Sequence, residues 1–125
     1  MAYTVKEVSD RLGITTHTLR FYEKEGVLPP IDRNVNGGLV YTDSDMDMIE
    51  TVQALRSTGL SLGEIKQYVE LYHAGDSKLQ ERKGLLARQK SKVENQIYLL
   101  MKTLEKINYK MALIDAQENR FDKLP

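Results

Sequence analysis

A chain of 125 residues with 41% apolar side chains suits one compact domain plus an appendage, and leaves no room for a large enzyme core. Eighteen Lys and Arg balance eighteen Asp and Glu, so no overall basic field points to nucleic acid and only local patterning can. With no cysteine there is no disulfide scaffold, thiolate nucleophile or cysteine metal ligand, and with no leader-like or long apolar run the chain is expected in the cytoplasm, off the membrane.

Taken in order, the first predicted element is a short helix from Val5 to Arg11. Thr4 and Glu7 have capping-box spacing, and Val5, Val8 and Leu12 make an apolar stripe. Gly13 supplies a tight turn into a second helix, Thr15 to Glu25, closed by Gly26. On that helix Leu19 and Tyr22 share one face, while Thr16, His17, Arg20 and Lys24 fall on the other. Two short helices joined by a glycine turn form a helix-turn-helix, and the polar face of the second carries donors that can reach phosphates and base edges. Two plainer readings stand beside this: Tyr22 as a core aromatic and His17 as a solvated surface histidine.

Beyond Pro29-Pro30, the string Arg33-Asn34-Val35-Asn36-Gly37-Gly38 lies between short apolar runs, and Asn-Gly or Gly-Gly there is a hairpin signal. Residues 31 to 41 are therefore expected to form a small wing, making a winged helix-turn-helix. A third helix opens at Thr42 and Asp45, again in capping-box spacing, and runs to a stop at Gly59. Ser61 with Glu64 caps a fourth, whose buried side is expected to be Leu62, Ile65, Val69 and Tyr72 before Gly75 ends it. The DNA-binding domain is thus predicted over residues 1 to 75.

From residue 76 to 119 the pattern changes. Leu79, Leu86, Val93, Leu100, Ile107 and Ile114 repeat every seven residues, interleaved with Ile97, Leu104 and Met111. This is a coiled-coil seam on a long dimerisation helix, with its strong zone from Val93 to Ile114, because the earlier interleaved positions are Lys83 and Lys90 and Gly84 weakens the helix by about 1 kcal/mol. Such a narrow apolar stripe needs a partner, and an identical chain is the simplest. Residues 120 to 125 are read as a tail.

The residues of the first 75 positions resemble the MerR family of bacterial transcription regulators. The resemblance rests on Leu12-Gly13-Ile14, Thr18-Leu19-Arg20-Phe21-Tyr22-Glu23, Glu25-Gly26-Val27-Leu28-Pro29-Pro30, Arg33, Asn36-Gly37, Tyr41-Thr42 and Gly59-Leu60-Ser61-Leu62. The C-terminal text is most similar to short members grouped with aldehyde-stress regulators. The resemblance implies a mainly α fold with a winged helix-turn-helix and an antiparallel coiled-coil dimer. It implies DNA contacts at Thr16, His17, Arg20, Phe21 and Tyr22, with Arg33, Asn36 and Gly37 as wing positions that grip the backbone. Lys24 and the wing tyrosine Tyr41 complete the expected set, and Val93, Ile97, Leu100, Leu104, Ile107, Met111 and Ile114 are the expected dimer contacts. The family usually carries an Arg two residues before the wing tyrosine; this chain has Leu39, one phosphate clamp fewer.

The implied mechanism is distortion of promoter DNA at a pseudopalindromic operator, with RNA polymerase as a partner there. No metal or other cofactor is expected, since His17 and His73 lie far apart and no ligand spacing occurs. No enzyme signature is present either: there are no clustered carboxylates, no nucleophile with base and no phosphate loop. The residues name no effector. A rival from another class is a helical adaptor that recruits a partner through its coiled coil, and an excisionase-type architectural DNA binder shares the small winged fold but lacks a seam like Val93 to Ile114.

Overall fold

The computed structural model describes residues 1–122. Its elements run β1 (Ala2–Tyr3), α1 (Val5–Leu12), α2 (Thr16–Lys24), β2 (Asp32–Arg33), β3 (Leu39–Thr42), α3 (Asp43–Ser57), α4 (Leu62–His73), a 3-10 turn at Gly75–Lys78, and α5 (Leu79–Asp122). By packing the chain divides between Leu85 and Leu86, inside α5. The first unit thus runs ten residues past the expected boundary at 75, because Leu85 is part of its core, only 4% exposed.

Local chemistry sets the helix starts. The Thr4 side chain accepts from the Glu7 amide at 3.1 Å while the Glu7 carboxylate accepts from the Thr4 amide at 3.3 Å. Thr42 and Asp45 repeat this box at 3.1 and 2.9 Å, and Ser61 accepts from the Glu64 amide at 3.1 Å. Each cap satisfies amides that a helix start would leave orphaned, typically adding about 1 kcal/mol.

Side chains from every helix of the first unit meet in one core, with Val8, Leu19, Tyr41, Ile49, Val52 and Ile65 fully buried. The sheet has order β1-β3-β2, both pairings antiparallel, with Tyr3 opposite Tyr41 and Arg33 opposite Leu39. The β2–β3 hairpin was expected as the wing; β1 was not. The two-residue strand is held by a hydrogen bond from the Tyr3 hydroxyl to Asp43 at 2.7 Å, and by the Arg11 guanidinium 4.8 Å from the Tyr3 ring centre. That hydroxyl holds the Asp43 carboxyl below the usual carboxylate range, and the carboxylate in turn raises the Tyr3 phenol.

One expected core residue lies elsewhere. Tyr72 is 39% exposed, and Tyr68, at 8%, joins Ile65 and Val69 on the buried face of α4. Tyr72 sits in the last turn, past the last core residue of the helix. There its ring lies 5.0 Å under the Arg82 guanidinium and edge-on to His73.

Among the described residues the second unit is helix alone. α5 counts 44 residues, about 66 Å at 1.5 Å per residue. It continues through Asp122, so the helix takes in the first part of the expected tail, while residues 123 to 125 lie outside the described residues. Ile97, Leu100, Leu104, Ile107, Met111 and Ile114 are between 49% and 69% exposed, and Val93 is half-buried. Among the described residues no helix is long and apolar enough to cross a membrane.

Candidate nucleic-acid interface

The α1–α2 pair is built from its turn outward. Gly13 takes φ 63°, a left-handed conformation that a side chain would strain, and its amide closes α1 onto the Ser9 carbonyl. Thr15 then caps α2, its side chain accepting from the Thr18 amide at 3.1 Å while the two threonine hydroxyls share a 2.8 Å hydrogen bond. At the other end Gly26, φ 74°, donates to the Glu23 carbonyl and Val27 to the Tyr22 carbonyl. These paired bonds stop the helix and turn the buried Val27 back into the core.

Between those ends α2 separates its two faces cleanly. Leu19 and Tyr22 are buried at 0% and 7%; His17, Arg20, Phe21 and Lys24 are exposed and Thr16 is half-buried. Among the described residues no ion pair neutralises Arg20 or Lys24, so both charges remain available to a phosphate. Phe21, 38% exposed, sits 6.2 Å from the Tyr22 ring and places an apolar edge beside the donors.

The wing is organised by Asn34. Its side-chain oxygen accepts from the Asn36 and Gly38 amides, both at 2.9 Å, while its own amide donates to the Gly38 carbonyl at 2.8 Å. Arg33 donates to the Gly37 carbonyl at 2.9 Å, which ties the strand to the turn. Asn36 and Gly37 are exposed at the turn, and Val35 stands fully exposed at its tip. Neither the organising role of Asn34 nor the exposure of Val35 was expected; an Asn four residues before a Gly-Gly end was the available signal for the first.

Tyr22 and Tyr41 lie behind this surface. Tyr41 has no exposed area, because alternate residues of a strand share a face and β3 turns Leu39 and Tyr41 toward the core. Burial raises the Tyr41 phenol above its ordinary range, the Glu23 and Asp45 charges add to that, and Arg20 opposes it. Among the described residues its hydroxyl has no hydrogen-bond partner. Leu39, where an Arg was the usual residue, is half-buried against the same core. Of the ten expected contact residues the fold therefore gathers Thr16, His17, Arg20, Phe21 and Lys24 on α2 and Arg33, Asn36 and Gly37 on the wing, with the two tyrosines as their support. No three His, Cys, Asp or Glu side chains come together as a metal site among the described residues.

Comparison with known proteins agrees with this architecture. The family model described as MerR HTH family regulatory protein matches residues 3–71, and that described as MerR, DNA binding matches residues 49–110. An uncharacterized HTH-type transcriptional regulator of Haemophilus influenzae is 38% identical over 112 residues, covering 90% of this chain and 83% of that protein. The HTH-type transcriptional regulator AdhR of Bacillus subtilis is 33% identical over 89 residues, 71% of this chain but only 64% of AdhR. Among solved structures, HiNmlR, a MerR family regulator lacking the sensor domain and bound to promoter DNA, superposes with a TM-score of 0.86 at 36% identity, covering 95% of this chain and 94% of that one. A MerR family regulator from Bacillus thuringiensis gives a TM-score of 0.83 at 30% identity, covering 90% and 98%.

Proposed function

The chain belongs to the MerR family of helix-turn-helix transcription regulators, and from that membership we propose that it binds a pseudopalindromic promoter operator as a homodimer and modulates transcription by distorting the duplex. The observation that carries this is the division of α2 into a buried Leu19–Tyr22 face and an open His17–Arg20–Lys24 face, flanked by an ordered wing. In a helix-turn-helix, a second helix fixed by its apolar side and bare on its polar side is placed to read the major groove. The relative held on promoter DNA, alike over nearly the whole of both chains, supports the same role here.

In this reading Arg20 and His17 meet base edges, Thr16 and Lys24 meet phosphates, and Arg33, Asn36 and Gly37 hold the backbone from the wing. Phe21 packs against sugar or a thymine methyl group, and Tyr22 and Tyr41 set the height of the helix and the wing from below. The whole process takes place in the cytoplasm at a promoter with RNA polymerase, and no step of it is enzymatic. Bending a duplex costs about 1–6 kcal/mol, which phosphate contacts must offset. Because Leu39 faces the core, the wing holds with Arg33 as its remaining cation, so distortion is the weaker half of the function.

The test is selection of bound sequences from random duplexes, compared with the DNA upstream of the protein's own gene. Enrichment of an inverted repeat supports the reading; no preference in moderate salt overturns it and favours an adaptor. Arg20→Ala should cost about 1–3 kcal/mol and relax preference at one symmetric base-pair position. Equal loss on every sequence would make Arg20 a phosphate contact.

A further inference from the structure

The wing tip carries one side chain that has no task in the DNA-bound arrangement above, Val35. We propose that Val35 enters the minor groove beside each half-site and makes the protein select A·T over G·C pairs there. This role rests on the DNA binding proposed above and adds to it a second point of sequence reading, away from α2.

Val35 is fully exposed, yet the backbone that carries it is fixed. The Asn34 side-chain oxygen accepts from the Asn36 and Gly38 amides, both at 2.9 Å, and the Gly37 amide donates to the Asn34 carbonyl at 3.0 Å. Gly38 leaves no room for a side chain, because a Cβ there would lie 3.2 Å from Asn34 Nδ2. The turn is therefore slim, with bare backbone at Gly37 and Gly38 and the valine at its tip. At the root of the wing Ile31 and Tyr41 are buried in the core that also holds Leu19 and Tyr22, so the wing and α2 share one foundation.

With the open face of α2 in the major groove, an arm built on the same core reaches across one sugar–phosphate ridge to the adjoining minor groove. That groove is about 6 Å wide, and a turn with two glycines suits it. The chemistry of the tip disfavours a phosphate as its target. Val35 has no donor, and pressed against a phosphate it would strip water from the anion and return no hydrogen bond. Arg33, the cation of the wing, stands behind the tip and donates to the Gly37 carbonyl at 2.9 Å. Between the sugar walls of the minor groove an apolar side chain is instead covered by carbon, as are the apolar wedges of minor-groove proteins.

The floor of the groove then sets the preference. An A·T pair shows only acceptors there, whereas a G·C pair adds the exocyclic amino group of guanine. The acceptors are common to both pairs and cancel. Beneath Val35 the guanine amino group would lose its water without finding an acceptor, and it would hold the valine off the floor. Selection of A·T thus follows from the absence of one donor.

The test uses the full chain and its selected operator, with adenines replaced one symmetric pair at a time by diaminopurine. That base adds the minor-groove amino group and leaves the major-groove edge of adenine as it was. A scan through the operator and its flanks should find positions where the change weakens binding by about tenfold. Inosine·cytosine pairs at those positions, which lack the amino group, should bind as A·T does. Val35 has no packing to lose, so variants there keep the fold. In Val35→Ala the diaminopurine penalty should shrink to below about twofold, and Val35→Thr, of the same shape but with a hydroxyl that can accept from the amino group, should narrow it as well. No position sensitive to diaminopurine, or a penalty that Val35→Ala leaves unchanged, overturns the role of Val35 while leaving operator binding intact. Failure of the unmodified operator to bind better than random duplex overturns the DNA binding on which that role rests.

Discussion

The two units of this chain solve the problem of apolar surface in opposite ways. In Met1–Leu85 the apolar residues are spread over five helices and a three-stranded sheet, and they close on one another until Val8, Leu19, Ile49, Val52 and Ile65 have lost all contact with water. In α5 from Leu86 on, equally apolar residues lie on a single helix, which cannot fold onto itself, and Leu100 keeps 69% of its surface exposed. The first unit is stabilised within a single molecule. The second presents a surface whose burial requires another molecule, so its contribution depends on concentration.

The widest separation between the two should come from charging the seam. The double change Leu100→Asp and Leu104→Asp removes four Leu side chains from a two-fold interface, each worth about 1.5–3 kcal/mol of burial, and adds four carboxylates. Sedimentation should find a monomer at micromolar concentration, while amide spectra of the first unit stay in place. Operator binding should fall by at least about a hundredfold with the loss of paired half-sites.

A core change should behave differently. Ile65→Ala, at a fully buried site, should cost about 2–5 kcal/mol in urea unfolding. That loss should be the same at every protein concentration, whereas the stabilising effect of the seam should grow with concentration. If both respond alike to dilution, the division of labour fails.

Smaller effects probe the first unit alone. Thr42→Ala removes the cap between β3 and α3 and should cost about 1 kcal/mol of thermal stability. Tyr41→Phe deletes a buried hydroxyl that has no partner among the described residues, so stability should be unchanged or higher by up to about 1 kcal/mol. A large loss would show that the hydroxyl is satisfied in solution.

Much of this was readable in the residues because the controlling interactions are short. Thr4 with Glu7, Thr42 with Asp45, and Ser61 with Glu64 act across three positions, and all three are in place. The heptad repeat is local in the same sense, since its period alone lines up Val93 to Ile114. The outward faces of α2 also follow from periodicity, which put Leu19 inward and Arg20 outward. What was not readable depended on distant partners. β1, with two residues, carries no strand pattern of its own and exists because Tyr3 meets Tyr41 and Asp43. The exposure of Tyr72 rests on where the core stops beside α4, and the burial of Tyr41 on which face of β3 the core covers.

By itself, then, the amino-acid order determined where helices begin, which helix faces turn inward and that α5 carries an apolar seam along its length, because caps and periodicities are satisfied within a few residues. Tertiary structure alone decided that a third strand joins the sheet, that Tyr41 supports the surface from within, and that Asn34 holds the wing turn. The reason is geometric: burial depends on which elements meet, and pairings such as Tyr3 with Tyr41 are set by how the chain packs.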